Sequence, residues 1–149
     1  MMVSTVSYPN RAIILGIEHP RAVAAIQSLG RAGIPVIGVD HDPTALGFFS
    51  RYLKAKFLIE KHPAKTLALL EELGRDGGML MPTNDDYLIL VSKNHERLSR
   101  CFVLTTPPWA SLAPLMDIAR CFRMAREVGI DNGTNSASPG EGRESRLQD

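Results

Sequence analysis

The order of apolar segments along the chain is the feature that most constrains its fold. Between residues 11 and 130, short apolar runs alternate with segments whose apolar residues recur at helical spacing. The first run is Ala12–Leu15, and the helical segment after it repeats apolar residues at Ala22, Val23, Ile26 and Leu29. Parallel strands need long crossover connections, so this alternation predicts a parallel sheet with helices on both faces.

We expect a three-layer, Rossmann-like α/β sheet of about five strands. The strands are predicted at 12–15, 35–40, 56–59, 79–81 and 102–104. Residues 11–130 are expected to form one domain, and residues 1–10 a flexible N-terminus. Residues 131–149 are expected to be a disordered polar tail, because Ala137 and Leu147 are their only apolar residues.

Turn and capping signals set the expected helix ends. Gly33 is placed to end the first helix, and Asp42-Pro43 to begin a short one. Asp117 is expected to cap a last helix that Gly129 ends. The residues expected on the buried face of that helix are Ala119, Phe122, Ala125 and Val128.

Composition excludes several classes of function. A net charge of +1 offers no broad field for nucleic acid, so no nucleic-acid partner is expected. The apolar runs are far shorter than the roughly 20 residues that span a bilayer, so we expect no membrane insertion and a cytoplasmic protein. Cys101 and Cys121 are not at metal-ligand spacing, which favours buried thiols over a metal site.

Ligands of parallel α/β sheets bind beyond the carboxyl ends of the strands. The loops expected there are 16–20, 40–43, 60–63, 82–86 and 105–108. The candidate substrate-binding residues are Gly16, Glu18, His19, Arg51, Thr83, Asn84 and Asp85. The sequence shows no pair of a nucleophile and a base, so no catalytic residue is predicted.

Each of these candidates also has a purely structural interpretation. Asn84 or Thr83 is suited to cap the following helix, and an exposed Arg51 is usually only solvated. Asp40 lies where a ribose-binding acid would lie, which makes it a candidate cofactor-binding residue. However, the loop after the first strand has a single glycine where dinucleotide-binding folds have three, so Asp40 is better explained as a turn residue.

Five segments resemble the N-terminal domain of ATP-grasp carboxylate–amine ligases. They read AIILG, RAVAAIQSLGRAGIPVIGVD, SRYLKAKF, MPTNDDY and LMDIARCFRMAREVGI, and together they cover most of residues 11–130. The resemblance implies a domain that forms one wall of a substrate cleft and meets a small carboxylate. It also implies that ATP and magnesium are held by later domains, so that this chain alone binds no cofactor.

The chain departs from that family near the end of the resemblance. Asp117 is followed by Ile118, where the family has a nucleotide-binding lysine, and the proline-containing strand entry of the family is missing after Ile130. We therefore expect a truncated first domain that is inactive alone; whether a partner chain supplies the missing ATP-grasp domains is left open by the sequence. A free-standing nucleotide- or ligand-binding module and an interaction protein remain the alternatives.

Truncation would also leave apolar surface uncovered. Residues near Trp109, Leu112 and Leu115 are expected to be exposed, and self-association is expected from them.

Overall fold

The computed structural model describes residues 10–130, so the predicted termini lie almost wholly outside the described residues. It divides into two compact units, the first ending at Leu112 and the second beginning at Ala113. The last helix belongs to the second unit, and the single domain expected over 11–130 stays a prediction.

The first unit contains a five-stranded parallel sheet, in the spatial order β3-β2-β1-β4-β5. This confirms the predicted fold class. The strands are β1 Ala12–Leu15, β2 Val36–Asp40, β3 Leu53–Leu58, β4 Met79–Pro82 and β5 Val103–Leu104. The central strand β1 pairs with both β2 and β4, so the chain reverses its direction of winding beside β1. Such a reversal is where ligands bind in open α/β sheets.

Five α-helices and one 3₁₀ helix connect or follow these strands. They are α1 Pro20–Arg31, the 3₁₀ helix Leu46–Phe49, α2 Pro63–Gly74, α3 Asp85–Lys93, α4 His95–Leu98 and α5 Trp109–Leu112. Helix α1 ends as predicted: Gly33 has φ +77°, and the N–H groups of Gly33 and Ile34 donate to Gly30 and Leu29. This double closure is a Schellman motif.

Two hydrophobic clusters cover the two faces of the sheet. On one face, β1 and β2 contribute Ile14 and Val36, which pack with Ile26 of α1 and Phe48 of the 3₁₀ helix. The other face packs against α2, α3 and α4 through a cluster that includes Ile13, Leu15, Leu70, Val91 and Leu98. The central strand is buried on both sides, which explains its uninterrupted apolar sequence.

Two local predictions are corrected in the loop after β2. Asp42 does not cap a helix; its Oδ1 accepts hydrogen bonds from the Thr44 N–H at 2.8 Å and the Thr44 hydroxyl at 2.7 Å. This local turn delays the helix to Leu46. Strand β3 begins at Leu53, three residues before the predicted start. The prediction missed its first residues because lysines alternate with the apolar residues there, so no continuous apolar run marks the strand.

In the second unit, the described residues contain a 3₁₀ helix, Ala113–Leu115, and α6, Ile118–Glu127. Asp117 caps α6 as predicted, since its Oδ1 accepts the Arg120 N–H at 3.1 Å, and Gly129 ends it with φ +76°. The predicted burial of one face is wrong, because no residue of α6 is buried. Within its described unit, α6 has only the short 3₁₀ helix to pack against.

Exposure of the other residues near the unit boundary is mixed. Leu115 is exposed as predicted, but Leu112 is buried and Trp109 is half-buried, with the Lys93 ammonium 4.9 Å above its ring. The predicted burial of both thiols is also wrong, since Cys101 is partly buried and Cys121 is exposed on α6. Among the described residues, no helix is long and apolar enough to cross a bilayer.

Candidate functional site

The loops after β1 and β4 meet at the carboxyl edge of the sheet, and Gly16 makes this contact possible. Its φ is +79°, a conformation that residues with a side chain rarely adopt. A Cβ at this position would lie 2.5 Å from Nδ2 of Asn84 and 3.1 Å from Cδ2 of Tyr87. The glycine therefore lets the start of α3 pack directly against the loop after β1.

Asn84 joins the two loops through both ends of its amide. Its Oδ1 accepts the Tyr87 N–H at 3.0 Å, which caps α3, and its Nδ2 donates to Oε1 of Glu18 at 2.7 Å. The capping interpretation of Asn84 is thus confirmed, with a second contact that the sequence did not predict. Thr83 does not cap the helix, because its hydroxyl donates to the carbonyls of Leu15 and Gly16.

Asp40 ends β2 and is wholly buried. Its Oδ2 accepts the Ile17 N–H at 2.5 Å, and its Oδ1 accepts the N–H groups of His41 at 2.7 Å and Asp42 at 3.0 Å. The interpretation of Asp40 as a turn residue is confirmed. Both carboxylate oxygens are occupied by backbone donors, so they are poorly placed to bind a ribose.

Glu18 and Asp40 are neighbouring carboxyl groups, and the negative charge of Glu18 acts on Asp40. Burial, together with the neighbouring Glu18 carboxylate, raises the pKa of Asp40 despite its backbone donors. Burial alone would raise the pKa of Glu18 too, but hydrogen bonds from Asn84, the backbone and Asp40 lower it. Oε2 of Glu18 is buried without a hydrogen-bond partner, which a proton shared with Asp40 would supply.

The negative charge of this pair contributes to a raised pKa of Tyr87. Its side chain is buried, and burial together with Asp40, Glu18 and Asp86 raises its pKa to about 12. The phenol therefore stays protonated near neutral pH. The ring of His41 lies 6.4 Å from the Tyr87 ring, centroid to centroid.

A cleft of about 340 Å³ opens on the other side of Tyr87, between the start of α2 and α3. Residues on its wall include His41, Lys61, His62, Asp86, Tyr87 and Leu90. None of them was among the candidate substrate-binding residues, although the loops 40–43, 60–63 and 82–86 were expected at this edge. The polar residues at the end of β3 were the missed signal.

The remaining predicted site residues are placed differently. His19 is half exposed, with Nε2 3.6 Å from Oε1 of Glu18, and Asp85 is exposed in the first turn of α3. Arg51 precedes β3 and so lies at the amino end of that strand, where its Nη2 donates to the Tyr52 hydroxyl at 3.0 Å. The structure therefore brings Gly16, Glu18, His19, Thr83, Asn84 and Asp85 to one edge of the sheet and Arg51 to the other.

Among residues 10–130, no three His, Cys, Asp or Glu side chains converge as a metal site would require. Glu18 and Asp40 come together as a pair only, and the oxygens of Asp40 already accept backbone hydrogen bonds. What the arrangement offers is a rigid edge with a half-buried carboxylate, an imidazole and a phenol beside an open cleft.

Comparison with known proteins shows similarity at the level of the fold. No protein-family model matches the chain, and no curated protein matches it. Solved structures with the same fold include the biotin carboxylase domain of a thermophilic 2-oxoglutarate carboxylase bound to bicarbonate, with a TM-score of 0.56 and 14% identity. Another is the biotin carboxylase subunit of pyruvate carboxylase, with a TM-score of 0.55 and 16% identity.

Both alignments cover 80% of this chain, which spans 28% of the length of either biotin carboxylase. The comparison therefore shows that this chain shares the fold of a part of these biotin carboxylases.

Proposed function

We propose that residues 10–112 are the substrate-side domain of an ATP-dependent carboxylate–amine ligase. In this proposal the carboxyl edge of the sheet forms one wall of the substrate cleft, and nucleotide and magnesium are held elsewhere. The observation that carries the proposal is the Asn84–Glu18 hydrogen bond of 2.7 Å, which locks the loops after β1 and β4 into one polar surface.

The fold supports this proposal, because it is similar to that of a part of two biotin carboxylases. The winding of the sheet supports it as well. The Asn84–Glu18 contact lies at the carboxyl ends of β1 and β4, beside the reversal of winding, where open α/β sheets bind their ligands.

Glu18 gives the surface its chemistry. Its lowered pKa keeps it a carboxylate near neutral pH. Because Oε2 is buried, Oε1 is the oxygen suited to accept a hydrogen bond from a substrate amine or hydroxyl, beside the one from Asn84. Asn84 holds that carboxylate in one orientation, since its amide is itself fixed by capping α3. These residues would position a substrate rather than perform a chemical step.

Residues 10–112 are not expected to transfer a phosphoryl group alone. That reaction depends on positioning and on stabilisation of the transferring group by metal and cationic side chains. We assign that part to the domains that the resemblance implies, whether on the same polypeptide or on another.

Calorimetry and NMR test the proposal together. The 149-residue chain should give no binding heat with ATP–magnesium and should form no ADP when carboxylate and amine probes are added. Substrate-like carboxylates bearing an amine or hydroxyl should shift the amide signals of Glu18 and Asn84, and Glu18→Gln should abolish those shifts. Formation of ADP by the chain alone would overturn the assignment.

A free-standing nucleotide-binding module is the alternative that the same measurement detects. It predicts measurable ATP affinity that falls in Asp40→Asn. The engagement of both Asp40 oxygens with backbone N–H groups disfavours it.

A further inference from the structure

The cleft between α2 and α3 has an apolar wall. Pro63 and Leu90 line it together with Ile89 and the ring of Tyr87. Its volume of about 340 Å³ lies at the lower end of the range for small-ligand sites. An apolar group of a few carbon atoms would therefore be removed from water here, at a gain of roughly 25 cal/mol per Å² of apolar surface buried.

The mouth of the cleft carries one charge of each sign. Nζ of Lys61 lies 3.3 Å from Oδ2 of Asp86, and both side chains are about 70% exposed. An exposed ion pair of this kind contributes little to stability, so opening it to admit a ligand costs little. Each partner is then free to meet a group of opposite charge.

Groups near Lys61 add positive charge to its side of the cleft, and groups near Asp86 add negative charge to the other side. Lys61 lies just before α2, which has no side-chain cap and no acidic residue in its first turn, so the positive end of the helix is uncompensated. Asp86 lies beside Tyr87, whose pKa is raised first by burial and then by the negative charges of Asp40, Glu18 and Asp86. The cleft is thus positive toward α2 and negative toward α3.

We propose that this cleft binds a small α-amino acid with an apolar side chain, its carboxylate on Lys61 and its ammonium on Asp86. Nζ of Lys61 and Oδ2 of Asp86 are in direct contact at 3.3 Å, so the ligand must separate them. Its carboxylate then replaces Asp86 as the partner of Lys61, and its ammonium replaces Lys61 as the partner of Asp86. Its side chain then lies against Ile89 and Leu90.

This inference concerns binding by the 149-residue chain and stands whether or not the domain takes part in ligation. Its residues are not those of the Glu18–Asn84 contact. Failure of either proposal therefore leaves the other to be judged by its own measurement.

Three matched probes test the ligand class by NMR titration without ATP. Leucine carries both charges, 4-methylpentanoate lacks the ammonium, and 3-methylbutylamine lacks the carboxylate. Leucine is expected to shift the signals of Tyr87 and Leu90 with an affinity about fivefold above that of either analogue, while glycine binds more weakly than leucine. Binding of 4-methylpentanoate as tight as leucine, or no shift at roughly 50 mM leucine, would overturn the proposal.

Charge-neutralising variants locate the site. Lys61→Gln and Asp86→Asn should each weaken leucine binding about fivefold, the usual scale for one exposed charged contact. Lys54→Gln and Asp76→Asn, which remove exposed charges outside the cleft, should leave the affinity unchanged. Equal affinities in all four variants would show that leucine binds elsewhere and would reject the assignment.

Discussion

At the residue scale, two glycines with nearly the same backbone conformation play different roles. Gly16 and Gly33 have φ values of +79° and +77°, but a Cβ would collide with Asn84 only at Gly16 and would meet nothing within 4 Å at Gly33. Both positions need a residue that tolerates a positive φ. Only Gly16 must also lack a side chain, because Asn84 packs closely against its backbone.

Alanine substitution should separate these two effects. Gly33→Ala is expected to lower the free energy of unfolding by about 1 kcal/mol, the cost of a left-handed residue with a side chain. Gly16→Ala should cost clearly more, on the order of 3 kcal/mol, because Asn84 and Tyr87 must also move. Urea unfolding measures both variants, and equal losses would contradict the role given to Gly16.

The Glu18–Asp40 pair makes a second residue-scale prediction. Glu18→Gln should lower the pKa of Asp40, because the Glu18 carboxylate is one of the causes that raise it. Carbon-13 NMR titration of the Asp40 carboxyl measures this, with the distant Asp76→Asn as the control. An unchanged Asp40 pKa in Glu18→Gln would show that the two groups are not coupled.

The same pair gives stability a definite dependence on pH. The pKa of Asp40 is raised above its ordinary value of 3.8, so its stabilising contribution is present below pH 3.8 and is lost as the pH rises through its folded pKa. The pKa of Glu18 is lowered, so its contribution is present above pH 4.5 and is lost as the pH falls through its folded pKa.

At the element scale, the start of α3 depends on one side chain with two functions. Asn84→Ala removes both the cap on the Tyr87 N–H and the donor to Glu18, and should cost about 2 kcal/mol of unfolding free energy. Asn84→Ser keeps a cap acceptor without the donor and should recover about half of that loss. Thermal or urea unfolding distinguishes the variants, and identical losses would show that the cap contributes nothing.

Helix α6 shows where element-level reasoning succeeds and where it stops. Its cap at Asp117 and its end at Gly129 follow from local chemistry, and both were predicted correctly. The burial of its apolar stripe was not, since amphipathic spacing indicates a face that needs a partner without saying where the partner is.

At the scale of the whole molecule, that exposed stripe supports the prediction of self-association. Leu115, Ile118, Phe122 and Val128 are all large, apolar and exposed. Sedimentation velocity at increasing concentration should show association, and Phe122→Ser with Val128→Ser should reduce it. Leu58→Ser, which removes an exposed apolar residue from β3, is the control and should leave association unchanged. A monomer at all concentrations would contradict this prediction.

Much of the site was predictable as a region but not as a set of contacts. The rule that ligands lie beyond the carboxyl ends of parallel strands correctly grouped Gly16, Glu18 and Asn84 at one edge. It did not predict the cleft beside Lys61 and Asp86, because that cleft depends on how α2 and α3 lean against the sheet. Arg51 precedes β3, as it also preceded the predicted strand at 56–59, so it belongs to the amino edge of the sheet and the rule does not select it.

The sequence by itself determined the alternation of strands and helices and most helix ends. These follow from side-chain periodicity and from hydrogen bonds between residues a few positions apart. Only the tertiary structure decided that Asn84 reaches Glu18, that the Ile17 N–H donates to Asp40, and that Lys61 pairs with Asp86 beside the cleft. Those contacts join residues 20 to 70 positions apart, as a rough range, and local patterns carry no information about packing over such separations.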